Sequence, residues 1–174
     1  MIIILNGPPG CGKDTIANWL RDHAGYAKTC FKHALYEATA GHYGIPVTEV
    51  IERNENRDLK ELPWHQGLSV RQMLIHVSEN EIKPKHGKDY FGRKAAARLL
   101  GIDRSVVFAD GGFIEELQPL KLMFGDRVKV VRLVRDGYDF TGDSRSYLPD
   151  PDLVVTVTPG NIELTARSVL EGLM

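Results

Sequence analysis

The chain opens on an unbroken apolar run. Ile2, Ile3, Ile4 and Leu5 alternate with nothing polar, the pattern of a strand buried on both faces of a parallel sheet. Residues 6–12 form a turn dense in glycine and proline. The period then changes from 2 to 3.6, with Ile16, Ala17, Trp19 and Leu20 on one helical face. The same alternation recurs downstream. Residues 27–31 predict a second, weaker strand, and 33–43 a helix stopped by Gly44 and Pro46. Residues 106–109, 128–134 and 153–157 predict three further strands. Residues 113–124 are partly helical, and Pro119 must begin, kink or break that helix. The last helix starts at Asn161, a good N-cap, and repeats Ile162, Ala166, Val169, Leu170 and Leu173 on one face.

The middle of the chain is more polar. Residues 47–64 predict short helices or a mobile loop. Residues 69–82 predict a clearer helix, since Val70, Met73, Leu74 and Val77 fall at i, i+3, i+4 and i+7, with Ser69 available as a cap. Residues 83–90 are basic and turn-like, and 91–100 helical up to Gly101. Strands that alternate with helices predict an α/β fold: a five-stranded parallel sheet with helices on both faces.

Composition narrows this picture. At 174 residues the chain is one domain, and 43% hydrophobic with 26% charged residues suits a globule with a real core. Lys plus Arg number 22 and Asp plus Glu 23, so a net charge of -1 gives no global attraction to nucleic acid or an anionic membrane. No run approaches a membrane span, and the apolar start is too short for a secretory leader. Cys11 and Cys30 show no CxxC or Cys/His spacing, so free thiols in a reducing cytoplasm are expected. No pattern encodes the oligomeric state, and a homodimer stays open.

The chemistry concentrates in Gly7-Pro8-Pro9-Gly10-Cys11-Gly12-Lys13-Asp14-Thr15, between a predicted buried strand and a predicted helix. That is the context of a P-loop. Glycines let backbone N–H groups turn inward around a polyphosphate, the helix start adds its positive dipole end, and Lys13 adds a point charge for the β- and γ-phosphates. These nine residues form the expected ATP-phosphate-binding set. The strict motif places Ser or Thr directly after the lysine; here Asp14 stands there and the hydroxyl follows at Thr15. A carboxylate beside phosphates must point away or toward a cation. A glycine-rich turn without a nucleotide is the bland alternative.

The segment GPPGCGKDT resembles the P-loop of nucleoside monophosphate kinases, and its GKDT version is similar to that of phage-type deoxynucleoside monophosphate kinases. Weaker matches are Leu68-Ser69-Val70-Arg71-Gln72-Met73, Ser78-Glu79, residues 85–91, and residues 109–116 against a strand-end motif Asp-x-Arg-Phe-x-x-Glu. Leu133-Val134-Arg135 and Asp143-Ser144-Arg145 resemble the lid region. The resemblance implies a three-layer P-loop fold in a single domain, residues 1–174, with a helical acceptor-binding insertion over about 33–100 and a short lid over about 136–149. It implies transfer of the γ-phosphoryl group of ATP to a (deoxy)nucleoside monophosphate, with Mg2+, in the cytoplasm (the host's, if phage-encoded). It gives Thr15 the phosphate or magnesium-water role and Asp14 a supporting one. Gly112 departs from the family pattern, which has Arg there.

Other groups carry two readings each. Arg71 could bind the acceptor phosphate through two N–H groups or be a solvated helix arginine. Asp110 ends a buried strand at the ligand-binding edge, where a carboxylate orients magnesium, directly or through water, binds the acceptor nucleotide, or simply closes a turn. Arg135 and Arg145 are the expected lid cations on the transferring group, whereas Arg132 lies within its strand and reads equally as structural. Lys32 could face the acceptor, and Tyr90 could stack on its base or pack in the core. The histidines show no metal spacing. Two alternatives stay open: a P-loop kinase of another small molecule, which needs a carboxylate base such as Asp110, and a nucleotide-binding regulatory protein.

Overall fold

In the computed structural model, which describes residues 1–174, five parallel strands form one sheet in the order β2-β5-β1-β6-β7. The strands are β1 (Ile2–Asn6), β2 (Ala27–Thr29), β5 (Val106–Gly111), β6 (Val128–Val134) and β7 (Leu153–Thr156). β1 is central, and its register pairs Ile2 with Val106 on one side and Val128 on the other. The apolar run at the start of the chain divides by parity. Ile3 and Leu5 join Val107, Ala109, Val131 and Leu133 in one core, under α1 (Lys13–Ala24) and α8 (Ile162–Gly172). Ile2 and Ile4 join Val106, Phe108, Val128 and Val130 in a second core, under α6 (Tyr90–Leu99) and α7 (Ile114–Phe124). A strand with buried residues on both faces therefore needs no polar alternation, which is why the sequence shows none.

A third core binds the helical layer. It joins α2 (His33–Tyr43), α3 (Val47–Glu55), α4 (Val70–His76) and α6 through residues such as Leu35, Val50, Val70, Leu74 and Phe91. The α4 stripe is buried as its spacing requires. Ser69 caps α4: its hydroxyl accepts from the Gln72 amide, and the Gln72 side chain accepts from the Ser69 amide.

Several expectations are corrected. The helix expected over 69–82 is α only to His76 and continues as a π-helical segment, Val77–Ile82, into the short helix α5 (Lys83–His86). The basic stretch is thus partly helical rather than a turn. α7 runs through Pro119 without breaking, because Leu117 and Leu120 beside it are fully buried and hold the helix to the sheet. Residues 56–62 are turns, followed by a hairpin of β3 (Pro63–His65) and β4 (Leu68–Ser69). Its Gln66-Gly67 turn has φ of 51° and 77°, the doubly positive geometry usually marked by Asn-Gly. β2 stops at Thr29, short of the expected 31, for a reason found at the site. No helix is long and apolar enough to cross a membrane.

Candidate active site

The loop between β1 and α1 is built by its backbone. Gly12 caps α1 with φ 109°, a left-handed conformation that disfavours any side chain. Cys11 is fully buried beneath the loop. Lys13 is itself buried, and its ammonium sits in the mouth of the loop, donating to the carbonyls of Gly7 at 2.6 Å and Pro8 at 2.7 Å. Burial pushes its pKa down, mainly against the nearby Cys11. The charge is therefore held at the start of α1, where the helix dipole already favours an anion.

Asp14 turns aside. Its side chain is 77% exposed and meets Lys28 of β2 at 3.0 Å, so its charge is answered away from the loop. Thr15 is exposed on the first turn of α1. Arg135, just past β6, donates to the Gly10 carbonyl at 3.0 Å, and its guanidinium lies 4.3 Å from the Tyr138 ring centre. Arg132 donates to the Leu148 carbonyl and packs over Tyr147, a structural placement.

Asp110 ends β5 beside the loop, but both its oxygens are engaged. Oδ1 accepts from the Phe31 amide at 3.0 Å and Oδ2 from the Lys32 amide at 3.2 Å. These amides bond to a carboxylate instead of a neighbouring strand, which is why β2 ends early and α2 begins where it does. Burial raises the Asp110 pKa, opposed first by Lys32. No group of three or more His, Cys, Asp or Glu side chains could hold a metal alone. A magnesium ion carried on nucleotide phosphates needs only one or two protein ligands. The Thr15 hydroxyl fits that donor set; Asp110, with both oxygens bonded to amides, does not fit as a direct ligand.

Beside the loop, between the sheet edge and the helical layer, lies a cavity of about 180 Å³. Lys32, Arg71 and Arg145 line it, as do Phe91 and Phe113. Tyr90 does not: it stands next to His86 and packs with the helical core, and its neighbour Phe91 reaches the cavity instead. Glu116 also lines it, as do Lys60, Lys83 and Asn54, and those last three were not singled out from the sequence. Lys60 lies in an aperiodic polar stretch that carries no signal. Glu116 closes the strand-end motif, which did mark it.

Arg145 takes the space that Gly112 leaves. A Cβ at 112 would fall 2.7–2.8 Å from three side-chain carbons of Arg145, so only glycine admits the arginine stem. Asp143 grips the guanidinium at both ends, Nε–Oδ1 at 2.9 Å and Nη2–Oδ2 at 2.7 Å. That fork holds the Asp143 carboxyl well below the usual carboxylate range and raises the Arg145 pKa. The Arg145 stem thus lies across Gly112 and brings its guanidinium to the cavity from the loop after β6. That loop is also tied down. Asn6, fully buried, donates to the carbonyls of Gly111 at 3.2 Å and Ser146 at 3.0 Å, and accepts from the Leu148 amide at 2.8 Å.

A phosphate-type loop on the central strand, next to a cation-lined cavity at the sheet's carboxyl edge, defines a P-loop kinase fold. No family model matches the chain, and no curated protein matches it. Among solved structures, TT1252 from Thermus thermophilus superposes with a TM-score of 0.53 at 17% identity, over 100% of this chain and 98% of that one. The shikimate kinase from Aquifex aeolicus gives a TM-score of 0.52 at 17% identity, over 99% of this chain and 96% of that one. A gluconokinase from Sinorhizobium meliloti gives 0.49 at 15% identity, over 98% and 90%. At such identities the likenesses to TT1252 and to the shikimate kinase establish the fold alone.

Proposed function

We propose that the chain transfers the γ-phosphoryl group of ATP to the phosphate of a (deoxy)nucleoside monophosphate, giving the diphosphate. The observation that carries this reading is the mixed lining of the cavity, which combines the cations Lys32, Arg71 and Arg145 with the apolar Leu74, Phe91 and Phe113. Cations suit a phosphate, and a flat apolar wall suits a base. Lys13 and the loop amides hold the ATP phosphates, and Arg135 and Arg145 face the transferring group. Magnesium bound with the ATP would neutralise charge on the β- and γ-oxygens, with Thr15 as the chain's own ligand.

The carboxyls of the site also favour a phosphate acceptor over an alcohol. An alcohol needs a general base. Asp110 is bonded to two amides, Asp143 to Arg145, and Glu79 to Ser78 and Lys83. Glu116 is pushed up to about 8 by burial and by Asp110, so it holds its proton at neutral pH. A monophosphate is already anionic and needs no base; in-line positioning and electrostatics suffice. In this reading Asp110 positions Lys32 and the start of α2, the helical segment 33–100 holds the acceptor, and residues 136–149 form the lid, with 145–148 as its fixed end.

The test is a coupled assay for ADP with ATP, Mg2+ and a panel of ribo- and deoxynucleoside monophosphates, with shikimate and gluconate alongside. Turnover with at least one monophosphate is expected. Turnover with an alcohol alone, or with none of them, overturns the reading.

A further inference from the structure

The cavity holds more positive charge than its own carboxylates answer. Lys32, Lys60, Arg71, Lys83 and Arg145 all line it. Lys83 is paired with Glu79 and Arg145 with Asp143. Glu116 is protonated near neutrality. Arg71 reaches only Glu61, at 3.4 Å and toward solvent. Lys32 and Lys60 form no ion pair.

Lys60 is the sharper case. Its backbone is pinned: its amide donates to the Asn56 carbonyl at 3.0 Å, and its carbonyl accepts from the Arg71 amide at 3.4 Å. The second bond ties it to the first turn of α4, so its stem and that of Arg71 approach the cavity together. The ammonium is half-buried. Burial pushes its pKa down to about 8, with Lys32 and Arg71 pushing the same way. An ammonium withdrawn from water among like charges is unfavourable unless an anion answers it. Within the chain only Glu61 acts on it with opposite charge, and it forms no ion pair with Lys60.

We propose that Lys60 is a ligand to the acceptor's phosphate, and that its protonation sets the alkaline limit of acceptor binding. The inference deepens the function proposed above and rests on it. The charged groups facing Lys60 are Lys32 at the β2–α2 corner, Arg71 on α4, Glu61 beside it in the chain and Arg145 from the loop after β6. The two arginines keep their charge at any working pH. A phosphate monoester becomes dianionic above roughly pH 6. Acceptor binding therefore strengthens through that point and weakens above about 8, where Lys60 releases its proton.

The experiment is the acceptor KM against pH, with the ATP KM as control, for wild type, Lys60→Arg and Lys60→Met, each also carrying Glu116→Gln, because Glu116 lines the same cavity and ionises in the same range. In wild type the acceptor KM is expected to climb about tenfold per pH unit once Lys60 deprotonates. Lys60→Arg keeps a low KM and moves the climb beyond the lysine range. Lys60→Met raises the acceptor KM by about 10- to 100-fold at neutral pH, leaves the ATP KM unchanged and abolishes the climb. A Lys60→Arg enzyme whose KM climbs where wild type does overturns the proposal, as does Lys60→Met with an unaltered acceptor KM. A wild type that phosphorylates no monophosphate removes the functional reading and this proposal together. One that does, with indifferent Lys60 variants, removes only the proposal.

Discussion

The two ends of the site are made in opposite ways. The phosphate loop is local: nine consecutive residues running from the end of one strand into the first turn of one helix, shaped by backbone and glycine, with a single buried lysine. The cavity beside it is assembled from α2, α3, the turn at Lys60, α4, the π-helical segment, α5, α6, α7 and the loop after β6, and the side chains of distant residues meet there. A backbone-built site tolerates changes of neighbouring side chains but not of its glycines and lysine. A side-chain-built site depends on many distant residues arriving in register, so its failures should be graded and specific to the acceptor.

The sharpest break is Lys13→Ala. It removes the only ammonium in the loop, and kcat is expected to fall about 10²- to 10³-fold. The Gly7 and Pro8 carbonyls lose the Lys13 hydrogen bonds, so the melting temperature should fall by a few degrees while the fold persists. An active Lys13→Ala enzyme in the coupled assay contradicts the assignment of the loop.

Gly112→Ala probes the other end. The new Cβ overlaps the Arg145 stem, so that stem, and with it the guanidinium, must shift from its place in the cavity. The acceptor KM should rise about tenfold or more while the ATP KM barely moves. An equal rise in both would show that Arg145 serves the donor as much as the acceptor.

The smallest effect concerns stability. Folded Glu116 keeps its proton up to about 8, whereas in the unfolded chain it ionises in the ordinary carboxylate range. Between those two points the folded state binds more protons, so stability falls as pH rises through that window. Glu116→Gln stays neutral and escapes this loss. Its melting temperature, relative to wild type, should gain a few degrees between about pH 5 and about pH 9. A constant offset across that range would mean Glu116 is ionised in the fold.

The same contrast explains what could be read from sequence. β1 and β5 were legible because Ile2 to Leu5 and Val106 to Ala109 are apolar on both faces, whereas β2, with Lys28 and no fully buried residue, gave the weaker signal. The loop was legible because its residues are contiguous. The hairpin was not, since Gln66-Gly67 adopts a turn that its residue types rarely announce. Nor was Lys60, whose position follows from a backbone bond to Arg71 eleven residues on, not from any period. Gly112 looked like the loss of a binding arginine. Its meaning emerged only with Arg145 lying across it, a partner 33 residues later. Asp110 looked like a free carboxylate because the amides of Phe31 and Lys32 are distant in sequence.

The bonds of Asn6 have a consequence for the order in which the molecule comes together. Its carboxamide joins β1 to Gly111 and to Ser146 and Leu148, across 105, 140 and 142 residues of chain. Contacts of such separation form late, after the costly closure of the intervening loops. The phosphate loop can take shape once β1 meets α1, but Arg145 is set in place only after β5 and β6 flank β1 and the following loop docks. During refolding, nucleotide binding should therefore return before acceptor binding, and stopped-flow recovery of the two would separate them in time.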